Sequence, residues 1–191
     1  SCATALATAQ ANWLEARSRS NGGNVLGILS FDLSSAFDTL DPAVLLPKLK
    51  ALGIGGTSLS WFRSYLSGGR QIVDWLGGLS SPKNVKFGVR QGSILGPLLF
   101  LVHVADMPNV VGAMTAGYAD DSHSAEVARS VQELLPLLNA KAARFVARAK
   151  GLGLAVNGQK TQLMISSGGN AAMYTDVDDV HVMVDGTTVN P

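Results

Sequence analysis

Val25-Leu-Gly-Ile-Leu-Ser-Phe31, followed at once by Asp32, is the stretch on which the fold turns. The run is too short for a buried helix and is rich in strand formers, so it reads as a buried strand that delivers Asp32 at its carboxyl end, a place where sites form. Downstream, Asp41-Pro42 opens a helix with apolar Val44, Leu45, Leu49 and Leu52 that stops at Gly53, and Ser58 to Leu66 forms a second. Arg70 to Trp75 and Asn84 to Val89 read as two arms of an antiparallel hairpin or an extended pair. Gln91-Gly92-Ser93 opens a helix to about Val104, with Ser93 as its cap. Val110 to Ala119 and Ser122 to Val127 then flank Asp120-Asp121 as strand, turn and strand.

Ser130-Val-Gln-Glu133 is a capping box, and Val131, Leu134, Leu135, Leu138, Ala142, Phe145, Val146 and Ala149 form the apolar stripe of the helix it starts. Leu152 to Val156 and Gln162 to Ser166 are strands joined around Asn157-Gly158. A last hairpin, Val177 to Val184 with Thr187 to Val189, turns at Asp185-Gly186. Upstream of the first strand, residues 3 to 17 are Ala-rich and helical in propensity. Strand, helices, strand, strand, helix, strand is the split βαβ or ferredoxin-like arrangement of an α+β fold. Such a sheet sets its first strand beside the central hairpin, so Asp32 meets Asp120 and Asp121. Neighbouring strand residues point to opposite faces, so both hairpin carboxylates converge only if the turn rotates one of them. Clustered carboxylates repel unless a divalent cation relieves them, and oxygen-only ligands favour Mg²⁺ or Mn²⁺ over zinc.

Composition narrows the function. The 191 residues suit one domain, and 47% hydrophobic against 15% charged residues excludes disorder. A net charge of +1 leaves no basic field over the whole chain, so any nucleic-acid contact has to be local. The single cysteine, Cys2, excludes a disulfide framework and a cysteine zinc site. Ile94 to Val104, the most apolar run, is interrupted by Gly96, Pro97 and His103 and falls short of the ~18 continuous apolar residues of a membrane span, so no membrane partner is expected.

Five segments lie in one order and spacing: Asp32-Leu-Ser-Ser-Ala-Phe37-Asp38-Thr-Leu-Asp41, Trp61-Phe-Arg-Ser-Tyr-Leu66, Arg90-Gln-Gly-Ser-Ile-Leu-Gly-Pro-Leu-Leu-Phe100, Tyr118-Ala-Asp-Asp121 and Asn157-Gly-Gln-Lys-Thr161. Together they make residues 25 to 166 resemble the reverse transcriptase of non-LTR, LINE-type retrotransposons. The resemblance implies a polymerase palm with part of the fingers and a C-terminal hairpin. It implies an RNA-directed DNA polymerase that adds dNTPs to a DNA primer on an RNA template by two-metal phosphoryl transfer, serving retrotransposition. Asp32 and Asp120 would hold two Mg²⁺, with Mn²⁺ as the alternative ion, and Asp121 would be the adjacent acidic member. On the substrate side the resemblance puts Leu33, Ser34, Phe37, Gln91, Gly92 and Lys160. Phe37, five residues after Asp32, would be the steric gate against a 2′ hydroxyl, Gln91-Gly92 would lie against nucleotide and template, and Lys160 would sit near the leaving phosphates. Where many relatives have proline before that glutamine, this chain has Arg90, which offers a phosphate contact of its own.

On this reading the chain is one incomplete domain, lacking the N-terminal fingers, thumb and any endonuclease, and its parent is intracellular, in nucleus or cytoplasm. A catalytically inactive module that binds RNA or protein is the alternative, and an unrelated Mg²⁺ nuclease a third reading. Other polar residues are expected to be bland: His103 a satisfied core histidine, Asp179 and His181 an exposed strand face, and Lys141, Arg144, Arg148 and Lys150 the solvated side of the capped helix.

Overall fold

The computed structural model describes residues 25–112, 114–118, 121–167 and 180–191, together with positions 7, 10, 11, 13–15 and 18, which are helical. From Val25 onward, eleven strands and five helices follow one another among the described residues. They are β1 (Val25–Ser34), α1 (Pro42–Ala51), α2 (Gly56–Tyr65), β2 (Gly69–Gln71), β3 (Asp74–Trp75), β4 (Gly78–Leu79), β5 (Lys83–Val85), α3 (Leu95–Val104), α4 (Met107–Val111), β6 (Thr115–Tyr118), β7 (Asp121–Ala128), α5 (Val131–Gly151), β8 (Ala155–Val156), β9 (Gln162–Ser167), β10 (Val182–Val184) and β11 (Thr187–Val189). The chain divides into two compact units, one of residues Ser1–Ser34, Asp106–Gly151 and Ala155–Pro191, the other of Ser35–Ala105 and Leu152–Leu154.

The first unit is built on β1. Its main sheet runs β6, β7, β1, β9, every pairing antiparallel, with β8 continuing along β1 beyond β9. That is the strand order of the split βαβ fold, with the first strand beside the second strand of the central hairpin. On one face of β1, Val25, Leu29, Phe31 and Leu33 are buried. Here Phe31 stacks on Phe145 of α5 with ring centroids 3.9 Å apart. Helix α5 starts with its capping box: Ser130 Oγ accepts the Glu133 N–H, while the Glu133 carboxylate reaches one residue past the cap and accepts the N–H of Arg129. The opposite face of β1 is only half covered. Leu26 and Ile28 pack with Ala125, Val127, Met114 and Trp13, and beyond them the face turns polar at Ser30 and Asp32.

The end of the chain closes on α5. Val182, Val184 and Val189 are buried, Asn139 Oδ1 accepts the Met183 N–H, and Lys150 pairs with Asp185 at 2.6 Å. The Asp185-Gly186 turn has both central residues at positive φ, the geometry two-residue hairpins prefer. Hairpin residues Val177 to Asp179 lie outside the described residues, as does the metal-like pairing of Asp179 with His181.

In the second unit Asp41 caps α1 by accepting the Ala43 N–H, and Leu45 and Leu49 face inward. Ser93 Oγ accepts the Gly96 N–H at the start of α3. His103 is the core histidine expected, fully buried with Nε2 on the Leu152 carbonyl at 2.8 Å, though the hydrogen bond reaches only that ring nitrogen and leaves Nδ1 unsatisfied among the described residues.

Four expectations are corrected. Val110 and Val111 belong to α4, not to a strand, because Pro108 starts a helical turn that ends at Gly112 with φ +117°. The hairpin of the second unit pairs over only three residues a side, Gly69–Gln71 with Lys83–Val85; its connection folds into a smaller hairpin, β3 with β4, around Leu76-Gly77. The strands either side of Asn157-Gly158 pair not with each other but each with β1. Lys141 is not on a solvated face: it is 1% exposed, donates to the Ala125 carbonyl at 2.7 Å and pairs with Glu126 at 2.7 Å. It stands three residues after Leu138 and four before Phe145, which is core spacing on α5.

Candidate active site

The polar end of β1 is where the first unit exposes its chemistry. The register of β1 against β7 sets Asp32 opposite Asp121 and Ser30 opposite His123. Residues directly opposite in an antiparallel pair share a face, as do i and i+2 along one strand, so these four side chains lie on one surface. They line a cleft of about 590 Å³ with Phe31, Gln159, Lys160 and Gln162. Ser30 Oγ and His123 Nδ1 are 2.8 Å apart, which ties the two strands together one pair inward from the carboxylates.

Lys160 reaches this cleft because a turn holds it there. The Asn157 N–H donates to the Asp32 carbonyl at 2.8 Å, and the Asn157 carbonyl accepts the N–H groups of Lys160 and Thr161 and the Thr161 hydroxyl. Lys160 Nζ then lies 3.9 Å from Asp32 Oδ2, with the lysine side chain 70% exposed. Gly158 serves packing: a Cβ there would come within 2.6 Å of Thr187 and 2.8 Å of the Val184 carbonyl oxygen.

The candidate residues divide between the units. Asp32, Asp121 and Lys160 meet at the cleft; Asp120 lies outside the described residues. Leu33 has its side chain buried on the α5 face, away from Asp32, and Ser34 is half-buried on the Asp32 face. Phe37, Gln91 and Gly92 belong to the second unit. There Phe37 is half-buried with its ring 4.9 Å from that of fully buried Phe100. Gln91 is exposed and lines a cleft of about 880 Å³ together with Asp38, Tyr65, Arg70, Phe87 and Arg90, among others. Arg90 lies over the Tyr65 ring at 5.6 Å. Gly92 has φ +77° with open space around its Cα, so conformation rather than crowding asks for glycine.

Sequence reasoning missed three participants. Ser30 and His123 were legible in principle, each two residues from a carboxylate on a strand. Asp38 was inside a quoted motif, yet its carboxylate accepts from Gln91 Nε2 at 3.0 Å, a contact between segments with no shared period.

Among the described residues no group of three or more His, Cys, Asp or Glu could hold an ion through protein ligands alone. Asp32 and Asp121 supply hard oxygen donors on one open face. That donor set fits Mg²⁺, which keeps waters and takes one or two carboxylates together with substrate phosphates.

Residues 5–184 match the family described as "Reverse transcriptase (RNA-dependent DNA polymerase)". The chain is 34% identical over 145 residues to the probable RNA-directed DNA polymerase from transposon BS of Drosophila melanogaster, an overlap of 68% of this chain and 15% of that protein. It is 37% identical over 103 residues to the RNA-directed DNA polymerase from mobile element jockey of Drosophila funebris, covering 50% of this chain and 11% of the relative. It thus spans about 15% of the length of the first of these relatives. Solved structures share the fold. Apo telomerase from Candida tropicalis, truncated from its C-terminal domain, superposes with TM-score 0.65 at 15% identity, over 100% of this chain and 38% of that one. Telomerase from Candida albicans, in complex with the TWJ fragment of telomeric RNA, gives TM-score 0.65 at 18% identity, over 100% and 34%. With the palm-type sheet, the facing carboxylates and the transposon relatives in agreement, the chain belongs to the reverse transcriptase family, in its non-LTR, LINE-type branch.

Proposed function

We propose that this chain is the catalytic palm, with part of the fingers, of an RNA-directed DNA polymerase that extends a DNA primer on an RNA template with dNTPs and serves retrotransposition. The observation that carries the reading is the register of β1 on β7, which sets Asp32 opposite Asp121 at the open end of the sheet. Phosphoryl transfer needs positioning and charge neutralisation more than a covalent nucleophile, and two facing carboxylates suit that task.

Asp32 and Asp120, with Asp121 beside them, would hold two Mg²⁺, or Mn²⁺ in their place; metal bound there supplies neutralisation of phosphate charge and a more acidic primer hydroxyl. The chain's own residues do the rest. Ser30 and His123 brace the strands that carry the carboxylates. Lys160, held by the Asn157 turn, brings one positive charge beside Asp32, where departing phosphate would meet it. Phe37 has its ring against buried Phe100, which limits its retreat from the 2′ position of a nucleotide sugar. Gln91 and Gly92 would lie against the nucleotide and template.

Primer extension by a full-length polymerase carrying this segment tests the reading. Asp32→Asn, Asp120→Asn or Asp121→Asn is expected to lower the rate by about 10³-fold, and a chelator to abolish extension until Mg²⁺ is restored. Undiminished extension by Asp32→Asn would remove the assignment.

A further inference from the structure

We infer that Asp38 is a positioning residue that fixes which end of the Gln91 amide faces the nucleotide. Gln91 Nε2 lies 3.0 Å from Asp38 Oδ1 and 3.2 Å from Oδ2. An ionised carboxylate only accepts hydrogen bonds, so it can face the nitrogen end of an amide and not the oxygen end. Asp38 therefore selects between two amide orientations that are nearly the same in shape. With Nε2 turned to the carboxylate, Oε1 is turned away and Gln91 presents an acceptor. An acceptor repels phosphate oxygens and matches a hydrogen-bond donor, which on a nucleotide means a sugar hydroxyl or a base N–H.

The backbone keeps the two side chains within reach. The Val89 N–H donates to the Phe37 carbonyl at 2.9 Å and the Gly88 N–H to the Leu40 carbonyl at 2.7 Å, so residues 37–40 and 88–89 are stitched on both sides of Asp38. Gly88 sits at φ +89°, and a Cβ there would come within 2.8 Å of the Asp38 carbonyl oxygen. The stitch leaves Gln91 three residues on. All of these residues belong to the second unit. The inference rests on the proposed placing of Gln91 against the nucleotide.

Two measurements test it. In the 191-residue chain, ¹⁵N-resolved NMR of the Gln91 side-chain amide should show an Nε2 proton shifted downfield of its position in a free glutamine amide, a shift lost in Asp38→Ala; signals unmoved by that change would overturn the proposal. In a full-length polymerase, Asp38→Ala is expected to raise the KM for dNTP about fivefold, the loss of one hydrogen bond, with kcat little changed. Asp38→Asn combined with Gln91→Glu reverses the sense of the bond: the introduced amide donates and the introduced carboxylate still offers an oxygen to the ligand. This pair should recover most of the loss, while Gln91→Glu alone, which sets two carboxylates together, should be worse than Asp38→Ala. Rescue by polarity is not expected of a residue that only supports the fold. If Gln91→Ala raises KM and Asp38→Ala does not, the positioning role fails and the placing of Gln91 stands. If Gln91→Ala also has no effect, the placing of Gln91 is what fails.

Discussion

Two side chains show how far residue type and spacing can be read, and where contact takes over. Phe37 was singled out by its offset from Asp32; what the offset did not show is the buried Phe100 ring against it, which makes Phe37 a backed surface. Phe37→Val should weaken discrimination against ribonucleotides by roughly 10- to 100-fold, the worth of a lost steric contact in a fitted pocket, measured as the ratio of kcat/KM for dNTP and rNTP. Lys141 misled a reading by charge. Its ammonium is buried on the Ala125 carbonyl and Glu126, so the side chain ties α5 to β7. Lys141→Ala should cost about 3 kcal/mol because it strands a carboxylate in a poorly solvated place, while Lys141→Met, which keeps the volume, should cost less; urea denaturation compares the two.

Elements were legible where a local signal was complete. The capping box of α5, its stripe and the Asp41-Pro42 start of α1 depend on residues within one or two turns, and each stands where expected. They failed where pairing is long-range. Gly69–Gln71 and Lys83–Val85 meet over three residues because the intervening chain closes its own hairpin. The segment around Asn157-Gly158 looks like a hairpin turn because Asn-Gly often is one. Its structural work is different: Asn157 anchors the turn to the Asp32 carbonyl, and Gly158 lets the β10–β11 hairpin come close. Gly158→Ala should therefore destabilise the fold by about 1–3 kcal/mol, the usual cost of overpacking, seen as a lower denaturation midpoint, and should loosen Lys160 from Asp32.

At the scale of the molecule, order follows the sheet. β1 is paired on both edges, and Val25, Leu26, Ile28, Leu29, Phe31 and Leu33 along it are buried, whereas residues 70–87 are all exposed. Hydrogen exchange should find the amides of β1 and the middle of α5 slowest, and those of 72–82 fast, by several orders of magnitude, since exposed short hairpins open without disturbing a core. Protection in the hairpin equal to that of β1 would show that it packs more firmly than its exposure implies. Among the described residues no helix is long and apolar enough to cross a membrane.

By itself the sequence determined the type of chain: strand and helix periods in split βαβ order, carboxylates at the ends of strands, and five motifs in the register of one enzyme family. Those are properties of neighbours along the chain, carried by periods of 2 and 3.6 residues and by caps. Only the tertiary structure decided that Asp121 is the residue opposite Asp32, that Ser30 and His123 brace them, that Lys141 is buried and that Asp38 grips Gln91. The pairings of Asp32 with Asp121, Ser30 with His123 and Asp38 with Gln91 join segments tens of residues apart, and a meeting of that kind is set by strand register and by which faces are left uncovered. Lys141 stands at core spacing on α5, and only the packing of α5 on β7 decided which groups receive its charge.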